Sequence, residues 1–205
     1  MKKVVIIDYR LGNINSVANA FNFLGCDTVV SCRKEDIEAA DYIILPGVGA
    51  FGEGMKNLEN LGMIDVLNKQ VIENKKPILG ICLGFQLFAK ESEENGLFKG
   101  LGWVNGRVEK LKVNGLRMPH IGWNDIKIKK DSLLLKDIPD NNFYFVHSYA
   151  YQSGIDDIVT SVCNYGVDFV SSIQKGNIFG TQFHPEKSHI SGLKLLKNFI
   201  NFNGD

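Results

Sequence analysis

The chain has 205 residues, 44% hydrophobic and 22% charged, a globular composition that suits one domain with a sizeable core. Its 23 Lys and Arg balance 23 Asp and Glu, so no basic surplus points to nucleic acid. No apolar run is long enough to span a membrane, and the N-terminal run stops at Asp8, short of a signal peptide. Cys26, Cys32, Cys82 and Cys163 form no CxxC pair and read as reduced thiols, which places the expected compartment in the cytoplasm.

In chain order, VVIID predicts a short buried strand, and NINSVANAFNFLG has helical spacing with Gly25 placed to cap it. DTVVSC reads as a strand, KEDIEAA as a short helix and DYIIL as a strand. After the glycine-rich PGVGAFGEG, the stretch GMKNLENLGMIDVLNKQVIENK predicts one long amphipathic helix, or two interrupted near Gly62. PILGIC is then a strand and FQLFAKESEE a helix. Strands alternating with helices imply parallel βαβ units with right-handed crossovers.

From Gly100 the texture changes to strands and turns, with Asn105-Gly106 and Asn114-Gly115 as hairpin or turn signals. YFVHSYAYQ, IVTSVCNYG, FVSSIQKGN and IFGTQF are strand candidates, and SGLKLLKNFINF closes the chain as a helix. The expected fold is α/β: one domain over residues 1–205, with a mixed, mostly parallel central sheet flanked by helices and an antiparallel extension.

The sharpest local pattern is GICLG, where a strand turns into a helix. It has the form of a nucleophile elbow with Cys82 in place of serine, and glycines on both sides where a Cβ would collide with backbone. Such a turn puts Cys82 at a helix N-terminus, where the dipole favours thiolate, and offers the Leu83 N–H to a developing oxyanion. The competing reading is an inert buried cysteine, as Cys26, Cys32 and Cys163 are read. A nucleophilic thiol needs a base, and His184 in FHPE has Glu186 two positions on, able to hold one ring nitrogen and leave the other for the thiol. The same residues also fit a plain helix start, with Pro185 first and an acidic residue after it. His120 and His147 lie among aromatic and apolar residues and read as packed, while His189 reads as exposed. No Cys and His spacing suits zinc.

PGVGAFGEG matches G-x-G-x-x-G directly after a strand, the dinucleotide fingerprint. Glu73, loosely at the required distance of about 20 residues, sits in a helical pattern rather than at a strand end. A second reading has Gly47 and Gly49 flank Val48 so that backbone N–H groups of Val48 and Gly49 face an oxyanion. An ordinary strand-to-helix loop is the third.

Cys82, His184-x-Glu186 and the glycine loop together resemble the class I (triad) glutamine amidotransferases, most of all the glutaminase subunits of imidazole glycerol phosphate synthases. The matching segments LGNINSV, PGVGAFGEGM, GICLGFQLF, GLGWVNGRV, MPHIGWN, YFVHSYAY and GTQFHPEKS run nearly end to end. The resemblance implies hydrolysis of L-glutamine to L-glutamate without a cofactor, through a glutamyl thioester on Cys82. His184 would act as acid and base, and Glu186 would orient it. Val48 and Leu83 would supply the oxyanion N–H groups, with Gly47 and Gly49 around them. Gly49, Gln86, Glu94, Ser148 and Tyr149 would hold the substrate. The ammonia would pass to a (β/α)8 cyclase, in a heterodimer that forms imidazole glycerol phosphate and AICAR in histidine biosynthesis. Asn13, Trp123, Tyr144 and Lys187 would face that partner, and the glutaminase would be weak until the partner binds its own substrate. One departure stands out: Arg10 occupies a position where the family usually has glycine. Related glutaminases serve a synthase that amidates a sugar nucleotide, and Arg10 fits either setting. A stand-alone Cys-His hydrolase would share Cys82 and His184 but would not need Gln86, Glu94 and the HSY segment.

Overall fold

The computed structural model describes residues 1–154 and 156–204. Its first half alternates as expected: β1 (Lys3–Ile7), α1 (Ile14–Phe23), β2 (Asp27–Ser31), α2 (Lys34–Ala39), β3 (Tyr42–Leu45), α3 (Phe51–Asn60), α4 (Met63–Leu67) and β4 (Ile78–Ile81). Next come α5 (Leu83–Gln86), β5 (Glu91–Ser92), β6 (Phe98–Lys99), β7 (Gly106–Lys110), β8 (His120–Ile128), β9 (Asn142–His147) and β10 (Tyr149–Ser153). β11 (Val159–Asn164), β12 (Asp168–Lys175), β13 (Ile178–Thr181) and α6 (His189–Ile200) complete the chain.

Nine strands form one sheet in the order β2-β1-β3-β4-β13-β12-β11-β8-β9. The strands from β2 to β13 pair in parallel, and those from β13 to β9 extend the sheet antiparallel. Parallel strands must be covered on both faces, and the β-branched run of β1 supplies apolar residues to both. Val4 and Ile6 face one core with Val17 and Phe21 of α1 and Leu195, Leu196 and Phe199 of α6. Val5 and Ile7 face the other with Ile37, Leu58, Leu67 and Val71 from the region of α2 to α4. Each such fully buried side chain contributes roughly 1.5–3 kcal/mol. A one-residue slip of β1 would exchange the two faces of the strand.

The long helix breaks at Gly62, which adopts φ +65°, and a π-helical turn over Asn68–Glu73 follows α4. The helix expected over FQLFAKESEE is not formed beyond Gln86. The carbonyls of Leu87, Phe88 and Ala89 instead accept from Leu101, from Trp103 and Val104, and from Gly102, and Glu91–Ser92 becomes a strand. Long-range backbone pairing here overrides helical propensity. The same pairing builds a second sheet, β10-β7-β5-β6, that the periodicity does not reveal. Gly106 therefore opens β7 opposite Ser153 rather than turning a hairpin. The YFVHSYAYQ segment divides at Ser148, with His147 ending in the large sheet and Tyr149 starting in the small one. Ser148 thus stands at the junction of the two sheets, over the C-terminal end of β4. Among the described residues, no helix is long and apolar enough to cross a membrane.

Candidate active site

Cys82 sits between β4 and α5 with φ +54° and ψ −110°. A non-glycine residue held in such a region costs on the order of 1–3 kcal/mol, which the surroundings must supply. They do so by close contact: the Cys82 N–H donates to the Thr181 carbonyl at 2.8 Å. A Cβ on Gly84 would lie 1.7 Å from the Leu45 carbonyl oxygen, so only glycine lets α5 approach β3 this closely. The Cys82 side chain is almost fully buried at the edge of a cavity of about 250 Å³. α5 is four residues long, so the macrodipole expected from the sequence is small and nearby N–H groups matter more.

His184 follows β13, its N–H donating to the Tyr144 carbonyl at 2.9 Å. Its Nδ1 lies 2.9 Å from Glu186 Oε1, with both side chains 2% exposed or less. Pro185–Lys187 does form a 3₁₀ turn, so the helix-start geometry coexists with the Glu186 contact to Nδ1. Burial opposes the charged ring. The Cys82 sulfur, through its charge and as a hydrogen-bond partner, and then Glu186 outweigh it and raise the His184 pKa to about 10. Nε2 is buried and, among the described residues, has only the Cys82 sulfur as a partner for proton exchange, with no hydrogen bond of full geometry.

The glycine loop differs from expectation in one respect. The Leu83 N–H is not free: it donates to the Gly47 carbonyl at 3.3 Å. Because a trans peptide is planar with N–H opposite C=O, the Val48 N–H on that same peptide points away from Leu83. Gly49, at φ +118°, takes a conformation that L side chains rarely adopt, while a Cβ on Gly47 would meet the Tyr9 hydroxyl at 2.1 Å. A rotation of the Gly47–Val48 peptide would release the Leu83 N–H and reverse the Val48 N–H in one movement. The dinucleotide reading fails on the helix itself. Glu94 Oε2 accepts from the Phe51 N–H at 2.8 Å at the start of α3, so a carboxylate occupies the place where a pyrophosphate would bind. Gly52 instead packs against the Phe98 ring.

Val48, Gly49, Cys82, Leu83, Gln86, Glu94, Ser148 and Tyr149 all line the cavity, as do Pro119, Val146 and His147. The last three lie in the MPHIGWN and YFVHSYAY segments, but the sequence reading gives them no part in the site, and it gives none to the buried Gln182 behind Cys82. Gln182 was legible only as part of the TQFHPE string. His120 and His147 are packed as expected. Burial lowers the His120 pKa to about 4, and burial with the charges of His120 and His184 takes that of His147 to about 3. Cys26 and Cys163 are buried and Cys32 is partly buried, none of them in this cavity. A larger surface groove, about 810 Å³ along Ile128–Asp137 and Gln174, contains no cysteine or histidine.

On the outer face, Trp123 and Tyr144 are register partners on β8 and β9, 43% of Trp123 is exposed, and Lys187 Nζ lies 5.5 Å above the Tyr144 ring. Asn13 precedes α1, which packs beside the Pro185–Lys187 turn. His189 is exposed, as expected, and stacks on Trp123 at 4.7 Å. Ile121 and Ile190, also exposed, add apolar surface to which the sequence reading gives no role. Arg10 does take a left-handed conformation, φ +68°, with its N–H bonded to Asp8.

Residues 5–202 match the family model for glutamine amidotransferase class-I. An imidazole glycerol phosphate synthase subunit HisH 1 from Campylobacter jejuni is 49% identical over 96% of this chain and 98% of that protein. A subunit HisH from Methanosarcina barkeri is 48% identical over 98% of both. Among solved structures, a glutamine amidotransferase superposes with a TM-score of 0.76 at 21% identity over 96% of each chain. A putative GMP synthase protein from Thermoplasma acidophilum gives 0.74 at 20% identity, covering 98% of this chain and 92% of that one. These last two speak for the fold alone. With a match that spans nearly the whole chain, this protein belongs to the class I glutamine amidotransferase family.

Proposed function

We infer that this chain is the glutaminase subunit of an imidazole glycerol phosphate synthase, hydrolysing L-glutamine and passing the ammonia to a cyclase subunit in histidine biosynthesis. The observation that carries the chemistry is the strained Cys82 beside a buried His184 whose Nδ1 is held by Glu186 at 2.9 Å. The cavity of about 250 Å³ lies below the usual range for drug-sized ligands and suits a small amino acid.

In this reading the Cys82 thiol passes its proton to His184 Nε2 as the sulfur attacks the side-chain amide carbon of glutamine, and the carbonyl π electrons move onto oxygen. The C–N bond then breaks as His184 Nε2 gives its proton to the leaving ammonia, which produces a glutamyl thioester. Water attacks the thioester, His184 takes its proton, and the C–S bond breaks to release glutamate and the thiol. Val48 and Leu83 stabilise the oxyanion once the Gly47–Val48 peptide has rotated. The Leu83 bond to the Gly47 carbonyl supports a resting state with weak activity, because loss of one such donor typically removes about 3–4 kcal/mol of transition-state stabilisation. The partner is a (β/α)8 cyclase in a heterodimer, docked over Asn13, Trp123, Tyr144 and Lys187. Four free cysteines agree with a cytoplasmic setting.

The test is a pull-down from the source cells, followed by glutaminase assays with the recovered synthase and its substrate. We expect a cyclase, low ammonia release alone and stimulation in the complex. Recovery of a sugar-amidating synthase without a cyclase would overturn the pathway, and ammonia release by Cys82→Ala would overturn the mechanism.

A further inference from the structure

We propose that Gln182 is a working residue of this site: its amide donates to the Cys82 sulfur and also fixes the orientation of Gln86. The role of Gln86 toward glutamine rests on the glutaminase reading; the contact with sulfur does not.

Gln182 lies between β13 and His184 and is fully buried. Its Nε2 is 3.6 Å from Cys82 Sγ, and its Oε1 accepts from Gln86 Nε2 at 3.0 Å. The orientation of both amides follows from one backbone atom. The Tyr149 carbonyl can only accept, so the Gln86 atom 2.8 Å from it must be the NH₂ group. The second hydrogen of that NH₂ needs an acceptor, so Gln182 must turn its oxygen to Gln86. Its own NH₂ is thereby left facing the sulfur. The same carbonyl receives His147 Nδ1–H at 2.9 Å, which makes His147 Nε2 the acceptor for His120 Nδ1–H at 3.1 Å. Reversing any member would set donor against donor or acceptor against acceptor in a buried site.

Two consequences follow. Both hydrogens of the Gln86 amide are used, so its Oε1 is the atom left to accept an N–H from the substrate. The thiol S–H can donate to the Val146 carbonyl at 3.8 Å, and once the proton leaves, the Gln182 N–H becomes a charge-assisted donor to sulfur. Gln182 is thus a donor to the nucleophile additional to His184. Among the described residues, His184 and Tyr9 interact electrostatically with Cys82, and Glu94, His147 and Tyr149 line the same cavity.

The experiment compares Gln182→Met and Gln182→Glu with the wild type in the full chain. It measures carbamidomethylation of Cys82 by iodoacetamide against pH, and kcat and KM for ammonia release from glutamine. We expect the alkylation midpoint of Gln182→Met to move up by about one pH unit, KM to rise about tenfold and kcat to fall about tenfold, the scale of one hydrogen bond to a charged group. Gln182→Glu should move the midpoint further, since a carboxylate would face the sulfur. Folded variants with an unchanged midpoint and unchanged KM overturn the proposal. If neither variant folds, the wild type decides: the Gln182 side-chain amide resonance in ¹⁵N-labelled protein must shift with the same midpoint as alkylation, and a pH-independent resonance overturns it. Alkylation and resonance need no glutamine, so a wild type that releases no ammonia would refute the glutaminase reading while leaving these readouts to judge Gln182.

Discussion

Acidification should destabilise this protein through one buried pair of imidazoles. His120 and His147 share a hydrogen bond of 3.1 Å, with Tyr165 stacked on His120 at 4.1 Å and Phe169 edge-on to His147. The Tyr149 carbonyl fixes the tautomers, so a proton added to His147 Nε2 would place two N–H groups face to face. Burial holds their pKa values at about 4 and about 3, against 6.5 in the unfolded chain. The folded values are depressed, so the stability is fully present above pH 6.5 and is lost progressively as pH falls toward the folded values. At pH 5 each ring forfeits about 2 kcal/mol, and the pair about 3–4 kcal/mol once their coupling is allowed for. His184 does not add to this loss, because its raised value makes its contribution present below 6.5 and lost only as pH rises through about 10. Urea denaturation at pH steps from 7 to 5 reads the effect as a falling midpoint at constant m. The slope should approach two protons, about 2.7 kcal/mol per pH unit. His120→Phe, which keeps the stacking, should remove about one proton from it. A slope below about half a proton between pH 6.5 and 5 would refute the placement of these rings as a neutral buried pair.

Of three further substitutions, two probe the turn and the loop beneath it, and one serves as a control. Gly84→Ala should cost more than about 4 kcal/mol and abolish cooperative unfolding, because the new Cβ would meet the Leu45 backbone oxygen at 1.7 Å. Gly115→Ala, which meets nothing within 4 Å, should cost only about 1–2 kcal/mol for its left-handed conformation. A Gly84→Ala variant melting near the wild type would show that α5 does not approach β3 as described. Tyr9→Phe should leave stability unchanged or raise it by about 1 kcal/mol, since the Tyr9 hydroxyl is buried with no hydrogen-bond partner among the described residues. Burial pushes its pKa up, so the phenol stays neutral throughout this test. A loss above about 1 kcal/mol in denaturant unfolding would mean that the hydroxyl is bonded in solution.

The parallel half of the fold was legible because each strand and helix carries its own period, from VVIID to PILGIC. The candidate triad positions were legible for a different reason. Cys82 needs glycine neighbours to make its turn, and Glu186 reaches His184 through a single proline, so both signals are local in sequence. What stayed hidden depends on contacts between distant segments. FQLFAKESEE has helical spacing, yet the carbonyls of Leu87 to Ala89 are claimed by residues 101–104. Asn105-Gly106 looks like a hairpin turn, yet Gly106 begins a strand whose partner lies more than forty residues away, at Ser153. Gln182 reads as an ordinary strand residue until Gln86 and Cys82 are brought against it. Trp123 reads as facing a partner, but exposed Ile121, two residues before it, and Ile190 have no role in the sequence reading and become visible only as surface.

Two backbone carbonyls then account for much of how the site is set. The Tyr149 carbonyl can only accept, and this fixes the polarity of Gln86, Gln182, His147 and His120 together, with an N–H left facing the Cys82 sulfur. The Gly47 carbonyl accepts the Leu83 N–H, which on the proposed function is one of the donors the oxyanion would need. The first carbonyl belongs to the start of β10, paired opposite Lys110 in the small sheet. The second lies in a loop whose Val48 is 39% exposed and whose Gly49 alone tolerates φ +118°. On the proposed function, the nucleophile and the substrate-binding amide are therefore preorganised, and the oxyanion donors are the part left to change. A partner that gains from a rotated Gly47–Val48 peptide would need to supply only the difference between two loop conformations, with the rest of the site already built.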